Sequence, residues 1–554
     1  MSKTKSNLRS GNADSNQQGK VDSRWDRAAI LFLIVTTVIR LFQLSATNLV
    51  PDEAYYWDWS RRPSLGYYDQ GPFIAYLIRT TTALFGTNEF GVRIGVLLCS
   101  LGAVVLAGMV ARRCFSPLAG FLTVVLLGST PLMEVGSIIA TYDPPLVFFW
   151  MLSVLLIERA LFGGEGEKVS VRYWLLAGVS TGFGLLSKHT MLLIAPGLIL
   201  YLALNKRHRR WLARPEPYLA FGICLLMYSG VIIWNAQHHW WTFGHLLFLT
   251  SGAKGKPEPL KHLGDYLASQ ALLVGPVLFF GTFSGFSGLR QRLRALMTGD
   301  FDGVPEGAQQ AGRQLYLMCM GWPTLAFFLL LSLKTKVQGN WAVFAWLTPA
   351  ILWSGIISAK YARAADGKIR RRSLSPALSS FVLAGVLSVV MVFPAIAFRL
   401  GLKLKPDNDQ TNQFVGWRET VDRVQQVRQE MSSGPDGKQH RPVFIVGSGY
   451  QYPAMLGFYL PDRPETFDMF LHFRLDMYAA YVEHLTARLG QDAVFINENQ
   501  TEDADLRKVF TEVTWDPPLP IYRKPYYAGP IRTVYIARCR GYRLYTGTSW
   551  HVGG

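Results

Sequence analysis

The chain has 554 residues, half of them hydrophobic and 17% charged, a balance that excludes an ordinary soluble domain and points to a polytopic membrane protein. Its formal charge of +18 would suggest a nucleic-acid partner in a soluble protein, but in a membrane protein the positions of the basic residues carry the information instead. Cys99, Cys114, Cys224 and Cys319 lie in or at the ends of apolar segments and Cys539 stands apart, which leaves no disulfide framework.

Residues 1–27 are polar and basic and read as a disordered cytoplasmic tail; no small-residue cleavage site closes the apolar run behind them. A spanning helix needs ~20 mostly apolar residues, and eleven segments are read as spans. They are 28–46, 90–111, 118–139, 144–162, 173–187, 189–204, 216–235, 266–287, 314–333, 341–358 and 376–398. With the N-terminus inside, the inner connections hold 25 Lys and Arg against nine in the outer ones, the bias expected of cytoplasmic loops. An odd number of spans puts the rest of the chain, 401–554, outside.

That C-terminal part reads as a soluble α/β domain. "RPVFIVGS", "DAVFINEN" and "RTVYIARCRGYRLY" are strand-like runs, and "FVGWRETVDRVQQVRQEM" places its apolar residues on one helical stripe.

The outer side carries the polar residues that call for chemistry. The first outer loop, 47–88, contains "PDEAYYWDWSRRPSLGYYDQGP", long for a connection without a purpose. Its rings, Tyr55, Tyr56, Trp57, Trp59, Tyr67 and Tyr68, fit an interfacial aromatic belt or the walls of a site. The pair Asp52–Glu53, opening a helix after a proline, favours function. Asp143 sits at an outer helix end before two prolines, and Lys188 and His189 at an outer turn. Lys334, Lys336, Gln338, Asn340 and Trp341 share one outer loop, and His238, His239 and His245 another. Each Lys or His alone is more often an interfacial anchor. Together, carboxylates, cations and rings at bilayer level suit a lipid-linked sugar phosphate: a carboxylate deprotonates an acceptor hydroxyl, and Lys or a bound cation neutralises the phosphate leaving group. Arg40 and Glu134, charged residues inside spans, are candidates to pair.

"PDEAYYWDWSRRPSLGYYDQGP", "GVRIGVLLCSLGAVVLAGMVARRCF", "TYDPPLVFF", "GLLSKHTMLLIAPGL" and "KVQGNWAVFAWL" resemble the bacterial protein-mannosyltransferase-like glycosyltransferases of the GT-C superfamily, a group that includes the protein O-mannosyltransferases and the aminoarabinose transferase of lipid A. The resemblance covers about residues 25–400 and implies a GT-C catalytic domain over 28–400. It implies Asp52 as catalytic base with Glu53 assisting, and Asp143 as a second acid. Asp69 would take part in donor or metal binding, and relatives often follow it with Lys or His where this chain has Gln70. Donor and phosphate contacts are expected from Tyr68, Asp69, Gln70, Lys188, His189, Lys334, Lys336 and Asn340. Metal dependence varies between branches of the family, so a divalent ion held by Asp69 and His239 stays open.

The leading expectation is a bacterial inner-membrane enzyme that moves a sugar from a polyprenyl phosphate to a lipid, polysaccharide or protein acceptor on the periplasmic face, with inversion. A transporter or flippase of lipid-linked sugars is the alternative, but it needs polar residues across the whole membrane and the acids and lysines cluster on one side. A non-catalytic assembly factor is a third, disfavoured by the acids of the first outer loop.

Overall fold

The computed structural model describes residues 2–163, 167–251, 258–302, 304, 307–364, 366–399, 405–433, 442–469, 475–500 and 503–543. Helix α1 (Ser2–Gln43) leads into a short helix α2 (Pro51–Arg61), then α3 (Phe73–Phe85) and the long α4 (Glu89–Cys114). A bent pair follows, α5 (Pro117–Gly128) and α6 (Pro131–Ile138), then α7 (Asp143–Phe162) and α8 (Glu167–Ser187). A 3-10 turn over His189–Leu193 runs on into α9 (Ile194–Leu204), and α10 (Pro215–Gln237) succeeds it. Local sequence fixes several starts. Asn88, Ser116 and Thr130 accept hydrogen bonds from the backbone N–H three residues on, and prolines open α2, α5, α6, α7 and α10, the position where a missing N–H costs nothing.

One expectation is corrected and a second is met in part. The segment 1–27, expected to be disordered, is helical from Ser2 onward as part of α1; no proline precedes Pro51, and a nucleated helix propagates cheaply. The eleven expected spans reduce, among the described residues, to six helices long and apolar enough to cross a membrane, or eight if each bent pair is one span. The expected span 118–139 is broken by 65° before Pro131, and 266–287 by 105° where Gly275 meets Pro276. Proline removes the interior hydrogen bond that would keep such a helix straight.

The C-terminal region forms a sheet of strands β1 (Val443–Gly447), β2 (Thr466–Asp468), β3 (Asp492–Asn497), β4 (Phe510–Trp515), β5 (Leu519–Ile521) and β6 (Arg532–Tyr542). The order is β2-β1-β3-β6-β4, with β5 paired to the start of β6. β1 runs parallel to β2 and β3, and β6 runs antiparallel to β3 and β4. This sheet is not a separate body. Val443, Ile445, Val494 and Ile496 share one hydrophobic core with Tyr55, Trp57 and Trp59 of α2, and Trp57 meets Phe458 edge-on at 4.9 Å. The six rings of the first outer loop are therefore buried, packed between the helical region and the sheet rather than spread as an interfacial belt.

Candidate active site

Glu53 and Arg93 form the frame. Both are fully buried. The Arg93 guanidinium donates from Nε to Glu53 Oε1 at 2.8 Å and from Nη2 to Oε2 at 2.6 Å, and also to the carbonyls of Leu44, Thr47 and Asn48. Glu53 accepts two further bonds, from the N–H of Val50 at the start of α2 and from the N–H of Ala140 just before α7. One ion pair thus ties α2, α4 and the approach to α7 together, and its oxygens are already engaged.

Asp52, the neighbour of Glu53, faces the other way, into a cavity of about 1070 Å³. Tyr450 Oη donates to its carboxylate at 2.6 Å. Enclosure raises the Asp52 pKa above its ordinary value, the tyrosine hydrogen bond pulls it down, and the nearby Glu53 charge raises it again. Asp69 lines the same cavity and accepts from Tyr55 Oη at 2.8 Å. That hydroxyl in turn accepts the Met477 N–H, so Asp69 is positioned through the C-terminal region. His245 Nε2 stands 3.6 Å from Asp69. Gln70 also lines the cavity, and its side-chain oxygen is buried without a partner among the described residues. The following Gly71 explains its seat: a Cβ there would lie 2.1 Å from the Leu186 carbonyl, so only glycine lets this loop touch the end of α8.

Asp143 opens α7 and Lys188 follows the last residue of α8, an acid at a helix start and a cation at a helix end, each favoured by the helix dipole. Lys188 Nζ donates to Asp143 Oδ1 at 2.7 Å, and Asn340 Nδ2 donates to Oδ2 at 2.8 Å. The ammonium also lies 5.0 Å from the centre of the Tyr142 ring. Among the described lining residues Lys188 is the one Lys or Arg. His189 lines the cavity beside it, buried, with both ring nitrogens lacking a partner among the described residues.

The cavity has two characters. Asp52, Asp69, Asp476 and Glu498 line it, and so do Leu192, Leu193, Leu246, Phe327, Phe328 and Leu331. Asp476 is buried, and burial together with Asp468 pushes its carboxyl well above the usual range.

The expected residues divide. Asp52, Asp69, Gln70, Lys188 and His189 line the cavity, with Asp143 holding Lys188 and Asn340 holding Asp143. Tyr68 is buried behind them, 5.2 Å from the His245 ring. Lys334 and Lys336 are absent from the wall: beyond the helix that ends at Ser332, Thr335 and Val337 turn inward and the alternating lysines turn out. The same segment contributes Gln338 and Trp341 instead. The pairing of His239 with Asp69 is also corrected, since His239 is exposed in a left-handed turn and the histidine beside Asp69 is His245. Among the described residues no three His, Cys, Asp or Glu side chains converge as metal ligands.

Arg93 was legible as a charge inside an apolar run. Tyr450 and Glu498 follow the carboxyl ends of the parallel strands β1 and β3, the edge where α/β sheets place ligand contacts.

Residues 69–234 match the family model for dolichyl-phosphate-mannose-protein mannosyltransferase. The lipid A galacturonosyltransferase RgtD of Rhizobium johnstonii is 26% identical over 59% of this chain and 64% of its own length. The undecaprenyl phosphate-alpha-4-amino-4-deoxy-L-arabinose arabinosyl transferase of Pseudomonas aeruginosa is 31% identical over 38% of this chain and 42% of its own. The chain thus aligns with less than two thirds of each relative. ArnT from Cupriavidus metallidurans superposes with a TM-score of 0.58 at 14% identity, covering 92% of this chain and 97% of ArnT. Its complex with undecaprenyl phosphate gives 0.56 at 16% identity over the same shares. The chain thus carries a segment similar to the mannosyltransferase family model and has the fold of ArnT.

Proposed function

We propose that the protein is a glycosyltransferase of the bacterial inner membrane that takes a sugar from a polyprenyl-phosphate donor and passes it to an acceptor at the periplasmic face. The observation that carries this reading is a single cavity with acidic residues, apolar residues and one lysine between neighbouring helix ends. Those three features suit a sugar, a lipid and the phosphate that joins them. The relatives named above point the same way, since one is an arabinosyl transferase of an undecaprenyl-phosphate aminoarabinose and one solved neighbour holds undecaprenyl phosphate.

In this mechanism Asp52 accepts the proton of the acceptor hydroxyl as its oxygen bonds to the anomeric carbon. The bond from that carbon to the phosphate oxygen breaks, its electron pair leaves with the polyprenyl phosphate, and the sugar carbon inverts. Lys188, oriented by Asp143 and Asn340, meets the charge gathering on the phosphate. His189 and Gln70 offer hydrogen bonds that nothing else in the described site uses. Glu53 serves as a positioning residue, because its oxygens are occupied by Arg93 and two backbone N–H groups.

The test is sugar transfer by purified protein from a panel of synthetic polyprenyl-phosphate sugars, wild type against Asp52→Asn. Transfer by the wild type and its loss in a folded variant supports the reading. Failure with every donor, together with movement of lipid-linked sugar between leaflets of reconstituted vesicles, would replace it with the transporter.

A further inference from the structure

A second cavity lies at the opposite end of the bundle. His189 faces the acidic cavity at one end of the 3-10 turn and α9, and Asn205 follows α9 at the other. Five residues of 3-10 helix and eleven of α-helix separate them, about 26 Å at ~2.0 and ~1.5 Å per residue. That approaches the ~30 Å of a bilayer's hydrocarbon core, so the two cavities belong to different faces.

This second cavity measures about 680 Å³ and is enclosed by the ends of α7 and α9, the start of α8, the loop 205–214 and the residues around Thr298 and Gln309. Its polar wall is built. Asn205 and His208 are buried, and both bond to Tyr201 Oη, at 3.0 and 2.5 Å. The loop is pinned by the Lys206 N–H on the Leu296 carbonyl. Lys206 Nζ donates to the Thr298 carbonyl and Arg214 pairs with Glu216. Arg207 and Arg210, exposed at the mouth, have no carboxylate partner among the described residues. Trp211 is 4% exposed, lines the cavity, and its indole N–H has no acceptor there. Arg207 and Arg210 thus stand exposed at a formed cavity whose lining includes the buried Trp211, with its unpaired indole N–H, and the apolar Leu161, Phe162 and Leu296.

We infer that this cavity binds a phosphate-bearing anion, the headgroup of an anionic phospholipid, through Arg207, Arg210 and the Trp211 indole N–H. Guanidinium groups suit phosphate oxygens by geometry and charge, and basic pockets between membrane helices on the cytoplasmic side are recurring headgroup sites.

The full chain is placed in nanodiscs of phosphatidylcholine alone or with phosphatidylglycerol, and retained lipid is read by native mass spectrometry beside the thermal midpoint. The wild type is expected to retain phosphatidylglycerol and to melt higher with it. Arg207→Gln with Arg210→Gln weakens retention about tenfold, one charge-assisted contact's worth. Arg371→Gln with Arg372→Gln, two exposed cations elsewhere in the chain, leaves it unchanged. Trp211→Phe, which keeps the ring and removes the donor, weakens retention as well and carries the test if the arginine variant does not fold. A midpoint raised equally by inorganic phosphate or glycerol phosphate in phosphatidylcholine discs, and lost in the same variants, keeps the anion site but assigns it to a soluble ligand. Indifference of the wild type to all these anions, or equal weakening by the Arg371 and Arg372 changes, overturns the proposal.

Discussion

Tyr450 donates a 2.6 Å hydrogen bond to Asp52 from 398 residues further along the chain. The tyrosine stands at the end of β1 and the aspartate at the start of α2, so the group proposed as the base is adjusted by the C-terminal region.

That contact sets a pH dependence. A base acts deprotonated, so transfer rises as pH climbs through the Asp52 pKa. Desolvation by the cavity walls holds this pKa above that of an ordinary aspartate, and the acid limb of kcat/KM shifts upward with it. The Tyr450 bond favours the charged form and lowers the pKa. Tyr450→Phe is therefore expected to move the acid limb to higher pH, with the plateau largely retained. Asp52→Asn is expected to lose about 10²–10⁴ in rate at every pH, the range for a general base. A limb that stays put in Tyr450→Phe would remove Asp52 as the titrating group.

Glu53 gives a contrasting expectation. Removing one partner from a buried ion pair leaves the other charge stranded, at a cost of about 3–5 kcal/mol. Glu53→Ala and Arg93→Ala should each lower the unfolding midpoint in detergent strongly. In the protein that remains folded, Glu53→Ala removes a charge that raises the Asp52 pKa, so the acid limb should move to lower pH while the plateau is retained. A variant that is stable but inactive would show that Glu53 takes part in the chemistry after all.

The two neighbours also show what the sequence made legible. The acids Asp52 and Asp69, placed just outside a span, line one cavity, and Arg40 and Glu134, isolated charges in apolar runs, do meet at 2.9 Å. The sequence alone could not say that adjacent carboxylates point in opposite directions, because helical neighbours are separated by ~100° and the partner of each lies far away in the chain. Lys334 and Lys336 misled for a related reason. The outer loop was identified by composition, but the turn after Ser332 buries Thr335 and Val337 and leaves Lys334 and Lys336 exposed. Hydropathy could not show the bends at Pro131 and Pro276, because it continues across each of them.

Lys188 is expected to act on the leaving phosphate. Lys188→Ala should lower kcat/KM by about 10²–10³, the cost of deleting one preorganised donor to developing charge. Lys188→Arg keeps the charge and should recover part of that loss. Asp143→Asn leaves the lysine in place with a weaker partner, so a smaller loss is expected, falling mainly on kcat. Equal losses in Lys188→Ala and Lys188→Arg would show that shape rather than charge is required there. Steady-state transfer with varied donor concentration separates these outcomes.

The C-terminal region bears on whether acceptor choice can be separated from catalysis. A detachable module would let the remaining chain keep its activity with altered acceptor preference. Instead Trp57 and Phe458 meet edge-on at 4.9 Å inside a core common to both regions, and Asp476 and Glu498 complete the cavity wall. Removing residues 405–554 would expose the buried rings of α2 and delete the Tyr450 contact, so complete loss of transfer is expected, with a lowered thermal midpoint for the helical region. The finer version is a double-mutant cycle on Trp57→Ala and Phe458→Ala. Each single change should cost about 3–5 kcal/mol as a core aromatic truncation, and the pair should couple by about 0.5–1.5 kcal/mol. Additive losses would mean the two rings are buried side by side without supporting each other. A truncated protein that still transferred sugar would restore the separable module.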